Sequence, residues 1–574
     1  MAGETLVGGH REQIAVSCSG LARKTIHVNL NYTKNGKNME RIIRTTLLSL
    51  TVFLIFQNLL AYPGKVVHSF PLPGNFCTGL TFDGAYLWVA DYKTDQIYRL
   101  DPATGAVIHQ IPSPGFWPMG LAWDGQYLWN ADRGQDRIYQ IDPEDGKVLR
   151  TIESPTGEPG GLSWDGTTLW LGDAGENAIM RIDLSDNDGT AVERFDGPAR
   201  SVTGLTFDGM YLWSSDRNLD EIYMVDQASG EVILVLDAPG PYSRGLAWDG
   251  QFLWNVDYQT DSLYCLVRQD EEAHRLKNPR KAKVTLTHQV NVHGKGVLKD
   301  LDVYLAVPEN MPQQKILGQS FQPDRHMMNK DKWNQQVASF NYQNVPSGET
   351  VQTIMKIDAE ISEIRYFINP DQVGSLEAIP GHISDLYTAD GSKYLTGDPY
   401  IQKLVGEIVG EETHPYWIAR KIFNYVRKHM EYIMEGGWNA APMVLKRGTG
   451  SCSEYSFCFI SLCRAAGLPA RYVGAIVVRG DDASLDESFH RWPEIYLPGY
   501  GWVPMDPQGG DRPSPRDQAM HIGNLSNRFL ITTQGGGDSE YLGWYYNYHA
   551  EYVTEPQVRV NIETFGEWEP FDIE

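Results

Sequence analysis

RGTGSCSEYSFCFISLCRAAGLPARYVGAIVVRGDDASLDESFHRWPEIYLPGYGWVPMDPQGGD, residues 447–511, reads as a glycine-flanked loop, a helix opened by a cysteine, a strand and a hairpin. Ser451 followed by Glu454 is a capping box, which predicts a helix with Ser451 as N-cap and Cys452 as its first residue. Gly467, Leu468 and Pro469 supply its C-terminal stop. Cys452 is thereby placed at the positive end of a helix dipole, where unpaired backbone N–H groups favour a thiolate. Gly448 and Gly450 leave the approach to it open. A hairpin centred on Pro498 would pair Tyr496 with Tyr500, Glu494 with Trp502, Trp492 with Pro504 and His490 with Asp506. An imidazole that takes a thiol proton and a carboxylate that fixes its tautomer are what a cysteine nucleophile needs.

On the N-terminal side, residues 399–430 carry a helical period, with Ile418, Ile422, Phe423, Val426 and Met430 on one stripe. These helices are expected to pack behind the cysteine. Residues 283–370 alternate apolar and polar side chains, as in KVTLTHQVNVHG and VQTIMKIDAEISEI, and predict an antiparallel sandwich-like module. Residues 268–282 are charged and lack apolar periodicity, so a linker is expected there. The catalytic unit is bounded at 371–534, with 535–574 as a C-terminal extension.

Residues 62–267 repeat one phrase five times, from GLTFDGAYLW at Gly79 through Gly120, Gly161 and Gly204 to GLAWDGQFLW at Gly245. The starts are 41, 41, 43 and 41 residues apart, a period that suits a four-stranded propeller blade. The last unit lacks its own fourth strand, and the orphan strand at 65–70 is expected to supply it and close a five-bladed ring without open edges. Trp88, Trp129, Trp170, Trp213 and Trp254 are read as packing between blades, and Asp91, Asp132, Asp173, Asp216 and Asp257 as turn caps rather than metal ligands. The loops entering each first strand differ between units. Phe76, Phe116, Trp117, Tyr242 and Arg244 are the candidate ligand face.

The apolar run LLSLTVFLIF at 47–56 follows Arg41 and Arg44 and precedes Ala61, the layout of a signal peptide; it falls short of the roughly 20 residues that span a bilayer. Residues 1–61 are therefore expected to be a leader, with Met39 the expected true start, and the body to be periplasmic or extracellular. The formal charge of −24, from 49 basic and 73 acidic residues, argues against a nucleic-acid partner. Of the five cysteines beyond the leader, Cys458 and Cys463 lie five apart on a predicted helix and are read as core; Cys77 and Cys265 are not expected to be bridged. No metal or cofactor is implied.

The segment from Gly448 to Asp506 resembles the transglutaminase-like superfamily, with its cysteine-led helix, histidine-x-tryptophan strand and glycine-tryptophan-x-x-x-aspartate strand. The resemblance implies an α+β, papain-like catalytic domain in which Cys452 is the nucleophile, His490 the base and Asp506 the orienting acid. Two residues depart from the family pattern. Arg491 stands where a small residue is common, and Pro493 removes a ladder donor, so the histidine strand is expected at an edge or bulged. The repeats are similar to sugar-lactonase and glutaminyl-cyclase-like propellers, at scaffold positions only. The expected chain is thus multidomain: a leader, an all-β propeller, a sandwich-like module and a catalytic domain. Its expected activity is attack on a carboxamide of a protein or peptide, most simply hydrolysis. Transfer to an amine, as in a protein-glutamine transamidase, and a non-catalytic binding role for the propeller are the alternatives.

Overall fold

The computed structural model describes residues 62–185, 187–269, 272–434, 437–478, 484–486 and 489–570, so the leader lies outside the described residues. Between residues 66 and 267 the chain forms five four-stranded antiparallel sheets. Val66–Pro71 pairs with Ser262–Val267, setting His68 against Cys265 and Phe70 against Leu263, and so becomes the fourth strand of the sheet that the end of this region builds.

The repeated glycines are explained by how the innermost strands meet. A β-carbon on Gly79 would lie 2.2 Å from the Met119 carbonyl oxygen, and one on Gly161 would lie 2.3 Å from the Leu205 nitrogen. The series ends with Gly245, whose β-carbon would lie 2.6 Å from Leu80 N, back on the first sheet. Backbones in such close approach exclude any side chain, so the glycine is a packing requirement repeated around a closed cycle.

Each repeated tryptophan is buried and donates its indole N–H to the aspartate of the preceding Asp-Gly turn, from Trp88 to Asp83 at 2.8 Å through Trp254 to Asp249 at 2.7 Å. Asp91 accepts backbone N–H groups from Lys93 and Thr94, and Asp257 from Gln259 and Thr260; these carboxylates cap turns. Cys77 and Cys265 are buried free thiols.

Of the expected linker at 268–282, residues 274–282 belong to a strand. His274–Gly294 is one long strand, and its charged side chains lie along the sheet surface or pair with the repeat region: Lys277 and Arg275 bond Asp237, joined there by Arg365 at 3.1 Å. A charge-rich strand lacks apolar alternation when its partners are ions rather than a core. Nor is 535–574 a separate extension. Tyr548–Thr554 pairs with Val297–Ala306, and Val558–Pro570 pairs with His274–Gly294, so the C-terminal strands complete both sheets of the sandwich. Leu286, Val303, Phe340, Ile357 and Trp568 fill the space between the sheets.

The third unit is a four-stranded antiparallel sheet, ordered Gly501–Pro504, Phe489–Leu497, Ala470–Val477, Phe529–Gly535, with the helix Cys452–Ala465 against it. Pro415–His429 buries Ile418, Ile422, Phe423 and Val426 in the same cluster as Phe457, Ile460 and Leu462 of the cysteine helix. That cluster continues into Trp213, Ile222 and Leu236 of the repeat region, so the two parts share one apolar core.

Candidate active site

The helix Cys452–Ala465 has Ser451 as N-cap and a capping box with Glu454, whose carboxylate accepts the Ser451 N–H at 3.3 Å. Glu454 is fully buried and also accepts from Arg447 at 2.7 Å and from the Asn439 backbone N–H at 3.2 Å. The cap is therefore tied to the preceding loop, and Cys452 stands on a fixed first turn. At the other end Gly467 takes φ 79°, and the Leu468 N–H returns to the Cys463 carbonyl at 2.9 Å. Cys458 and Cys463 are fully buried, and burial pushes both thiols well up.

The hairpin register differs from the one expected. Pro498 and Gly499, the latter at φ 95°, form the centre of a turn closed by Tyr500 N–H to Leu497 O, and Gly501 at φ 78° opens the return strand. The fold-back is therefore centred one residue later, pairing Tyr496 with Trp502 and Glu494 with Pro504, where the ladder ends. His490 and Asp506 are not directly opposed. They meet because the chain leaves the strand there: the Asp506 N–H turns away to His521 O at 2.9 Å, and its Oδ2 lies 2.9 Å from His490 Nε2. The histidine strand is also interior, not at an edge. The Pro493 carbonyl accepts from Met505, so its missing donor falls on that same side, where the ladder stops.

Nε2 of His490 is engaged by Asp506, and the same imidazole acts on the Cys452 thiol through hydrogen bonding and charge. Burial alone would raise the thiol pKa, but that bond, the imidazolium charge, the Arg491 backbone N–H and the Arg491 guanidinium outweigh it and hold Cys452 below its ordinary value. Burial would lower His490; the Asp506 carboxylate and Cys452 instead raise it to about 10. Asp506 sits below the usual carboxylate range because the charges of His490 and His521 and the Gly509 N–H, 3.0 Å away, overcome its burial. The arrangement favours a thiolate–imidazolium pair oriented by a carboxylate.

Residues 402–507 match the family model of the transglutaminase-like superfamily. They form a transglutaminase-like domain. An uncharacterized protein of Haemophilus influenzae is 28% identical over 149 aligned residues, covering 21% of this chain and 40% of that protein, so the chain spans two fifths of the length of this relative. Among solved structures, a candidate cysteine protease from Cytophaga hutchinsonii is 14% identical with a TM-score of 0.34, over 52% of this chain and 100% of that one. The glutaminyl cyclase of Myxococcus xanthus is 17% identical with a TM-score of 0.32, over 36% of this chain and 97% of that one.

Arg491, the departure noted in the sequence, has a defined place in this transglutaminase-like domain. It is fully buried, with its guanidinium over the rings of Trp438, Phe457, Tyr472 and Tyr546 at 4.2–5.2 Å and one N–H donated to Trp544 O at 2.6 Å. Such a cage holds a cation without a carboxylate to cancel it, so its field reaches the neighbouring thiolate. Sequence reasoning did not find this cage, because its rings come from four separate segments. It also missed the exposed apolar margin beside Cys452. The Ile433 N–H bonds Gly450 O at 3.0 Å, next to the cysteine, and Met434, Trp438 and Tyr545 are exposed along the same segment and its ring contacts.

On the repeat region, Phe76, Trp117, Tyr242 and Arg244 are brought together through two residues not singled out before. Tyr92 packs on Phe76 and Trp117, its hydroxyl lies 3.1 Å from that of Tyr258, and Tyr258 packs on Tyr242. Phe116, 70% exposed, makes no ring contact among the described residues.

Proposed function

We propose that this protein is an exported cysteine hydrolase in which Cys452 is the nucleophile, His490 the general base and acid, and Asp506 the orienting acid, acting on an amide bond of a protein or peptide. The His490–Asp506 hydrogen bond, with an imidazole that holds the Cys452 thiol below its ordinary pKa at the start of a capped helix, supports this reading. The thiolate attacks the carboxamide carbon. The imidazolium protonates the departing amine, leaving a thioester; His490 then takes a proton from water as its oxygen attacks, and the thioester C–S bond breaks to release a carboxylic acid and restore the thiol. The backbone N–H of Cys452, one of the orphan donors of a helix N-terminus, is the natural first oxyanion donor. The apolar margin at Met434, Trp438 and Tyr545 offers a polypeptide side chain a surface on which to settle.

In this reading residues 62–267 are a five-bladed propeller that serves as a holding platform, and residues 371–534 carry the chemistry. The test is product release from unfolded or peptide substrates by the wild-type chain and by Cys452→Ala, with a labelled primary amine present. Release of free acid that vanishes in the variant supports hydrolysis. Stable incorporation of the amine in its place would instead make the protein a transamidase, and product release that persists in Cys452→Ala would overturn the reading.

A further inference from the structure

Around the closed cycle of sheets, five structurally equivalent positions precede the repeated glycine: Thr78, Met119, Gly160, Thr203 and Arg244. Four are uncharged. The fifth is a guanidinium only 8% exposed, at a strand irregularity between Ser243 and Leu246 that interrupts regular pairing. It lies 5.2 Å from the Tyr242 ring and 5.7 Å from the Tyr258 ring, and its Nε has no hydrogen-bond partner. Arg217, from the adjoining sheet, approaches the same place and donates to the Tyr242 hydroxyl at 3.0 Å. Among the described residues neither arginine forms an ion pair, whereas Arg133 on the same face is neutralised by Glu158 at 2.6 Å. Asp216 and Asp257 of these two sheets are occupied by backbone N–H groups of their own turns and of the loops entering their sheets.

Two cations held close together without a carboxylate, one of them buried, cost free energy that a bound anion would recover. In a repeat, a residue needed only for packing is expected in every copy; this one stands in a single copy. The surroundings are aromatic, and one of them, Trp117, is 45% exposed. The rim of this face is also where the catalytic part arrives: Arg516 N–H bonds Pro198 O at 2.8 Å, ten residues after Asp506.

We propose that the mouth of the ring binds a carboxylate between Arg244 and Arg217, with the ligand's aromatic or apolar body against Phe76, Tyr92, Trp117 and Tyr258. The two guanidiniums present planar paired donors that match a carboxylate. This deepens the platform reading given above, and its ligand is either the C-terminal end of a peptide or a free aromatic acid.

The experiment is isothermal titration calorimetry on the full chain carrying Cys452→Ala, so that nothing is turned over and failure of the hydrolase reading does not affect the result. The probes are N-acetyl-phenylalanine, its primary amide, a tetrapeptide ending in a free phenylalanine carboxylate, that peptide amidated, and inorganic phosphate. The acids bind and the amides bind at least about tenfold more weakly, as loss of a charged hydrogen-bond partner requires. Arg244→Gln and, at the half-buried position, Arg217→Gln each weaken acid binding by a similar factor while far-ultraviolet circular dichroism is unchanged. Tighter binding of the peptide acid identifies a chain end as the ligand, and equal binding a small acid. Equal affinity for acids and amides, binding unchanged in Arg217→Gln, or binding of phosphate alone overturns the proposal.

Discussion

The thiol of Cys452 and the imidazole of His490 displace each other's titration in opposite senses, and the sign of each fixes a measurable profile. The thiolate–imidazolium pair exists above the lowered thiol pKa and below the imidazole pKa of about 10. Alkylation of Cys452 by iodoacetamide therefore rises with pH through a midpoint below the ordinary thiol value and then stays level. In His490→Ala the midpoint moves up to the ordinary thiol value or above it, because burial is then opposed by Arg491 alone. An unchanged midpoint would remove the pairing from the account. Arg491→Gln moves the midpoint up by a smaller amount, since the guanidinium acts on the thiolate only at a distance. Asp506→Asn keeps the fold but frees the ring tautomer, and lowers kcat by about two to four orders of magnitude. At this scale the candidate residues Cys452, His490 and Asp506 could be picked out because each lies in its own local motif. The ring cage of Arg491 was not, since Trp438, Phe457, Tyr472 and Tyr546 become neighbours only when the domain closes.

At the scale of elements, the cysteine helix is set by its cap. Glu454 receives Ser451, Asn439 and Arg447 at once, and all three lose a partner in Glu454→Ala. The variant is destabilised by about 2 kcal/mol or more in urea unfolding, and its alkylation slows as the first turn frays. A change within about 0.5 kcal/mol would show that the cap does not fix the turn. The cap could be read from Ser451 and Glu454 alone because it is a local rule. The hairpin could be read only in part. Pro498-Gly499 marked the turn, but the second left-handed glycine, Gly501, moved the register, and the meeting of His490 with Asp506 depends on where the chain leaves the ladder. Pro493 was misleading for a related reason: its missing donor lies at a ladder end inside the sheet, which sequence does not distinguish from a sheet edge.

Across the whole molecule, the repeats were the most legible part, since each unit forms by short-range turns and its glycines and tryptophans report their own packing. The sandwich was the least legible. Its two closing strands, Tyr548–Thr554 and Val558–Pro570, pair with segments more than 200 residues earlier, and the charges of 268–282 read as a linker because their partner, Asp237, belongs to another unit. The repeat region and the part that carries Cys452 are joined by a shared apolar cluster and by two ion pairs, Glu221 with Arg516 at 2.6 Å and Glu231 with Arg420 at 2.7 Å. They are expected to unfold in a single calorimetric transition. Glu231→Ala strands the buried Arg420 and costs about 3 kcal/mol, with a lower Tm; two separate transitions in the wild type would contradict the joined architecture. The proposed chemistry is covalent catalysis at Cys452, and its most direct measurement is intact-mass and peptide-level mass spectrometry after rapid acid quench with amide-containing peptides. The account predicts a thioester adduct on Cys452 that is absent in Cys452→Ala and accumulates when deacylation is slowed. Substrate turnover with no adduct at Cys452, or turnover that survives Cys452→Ala, would contradict it.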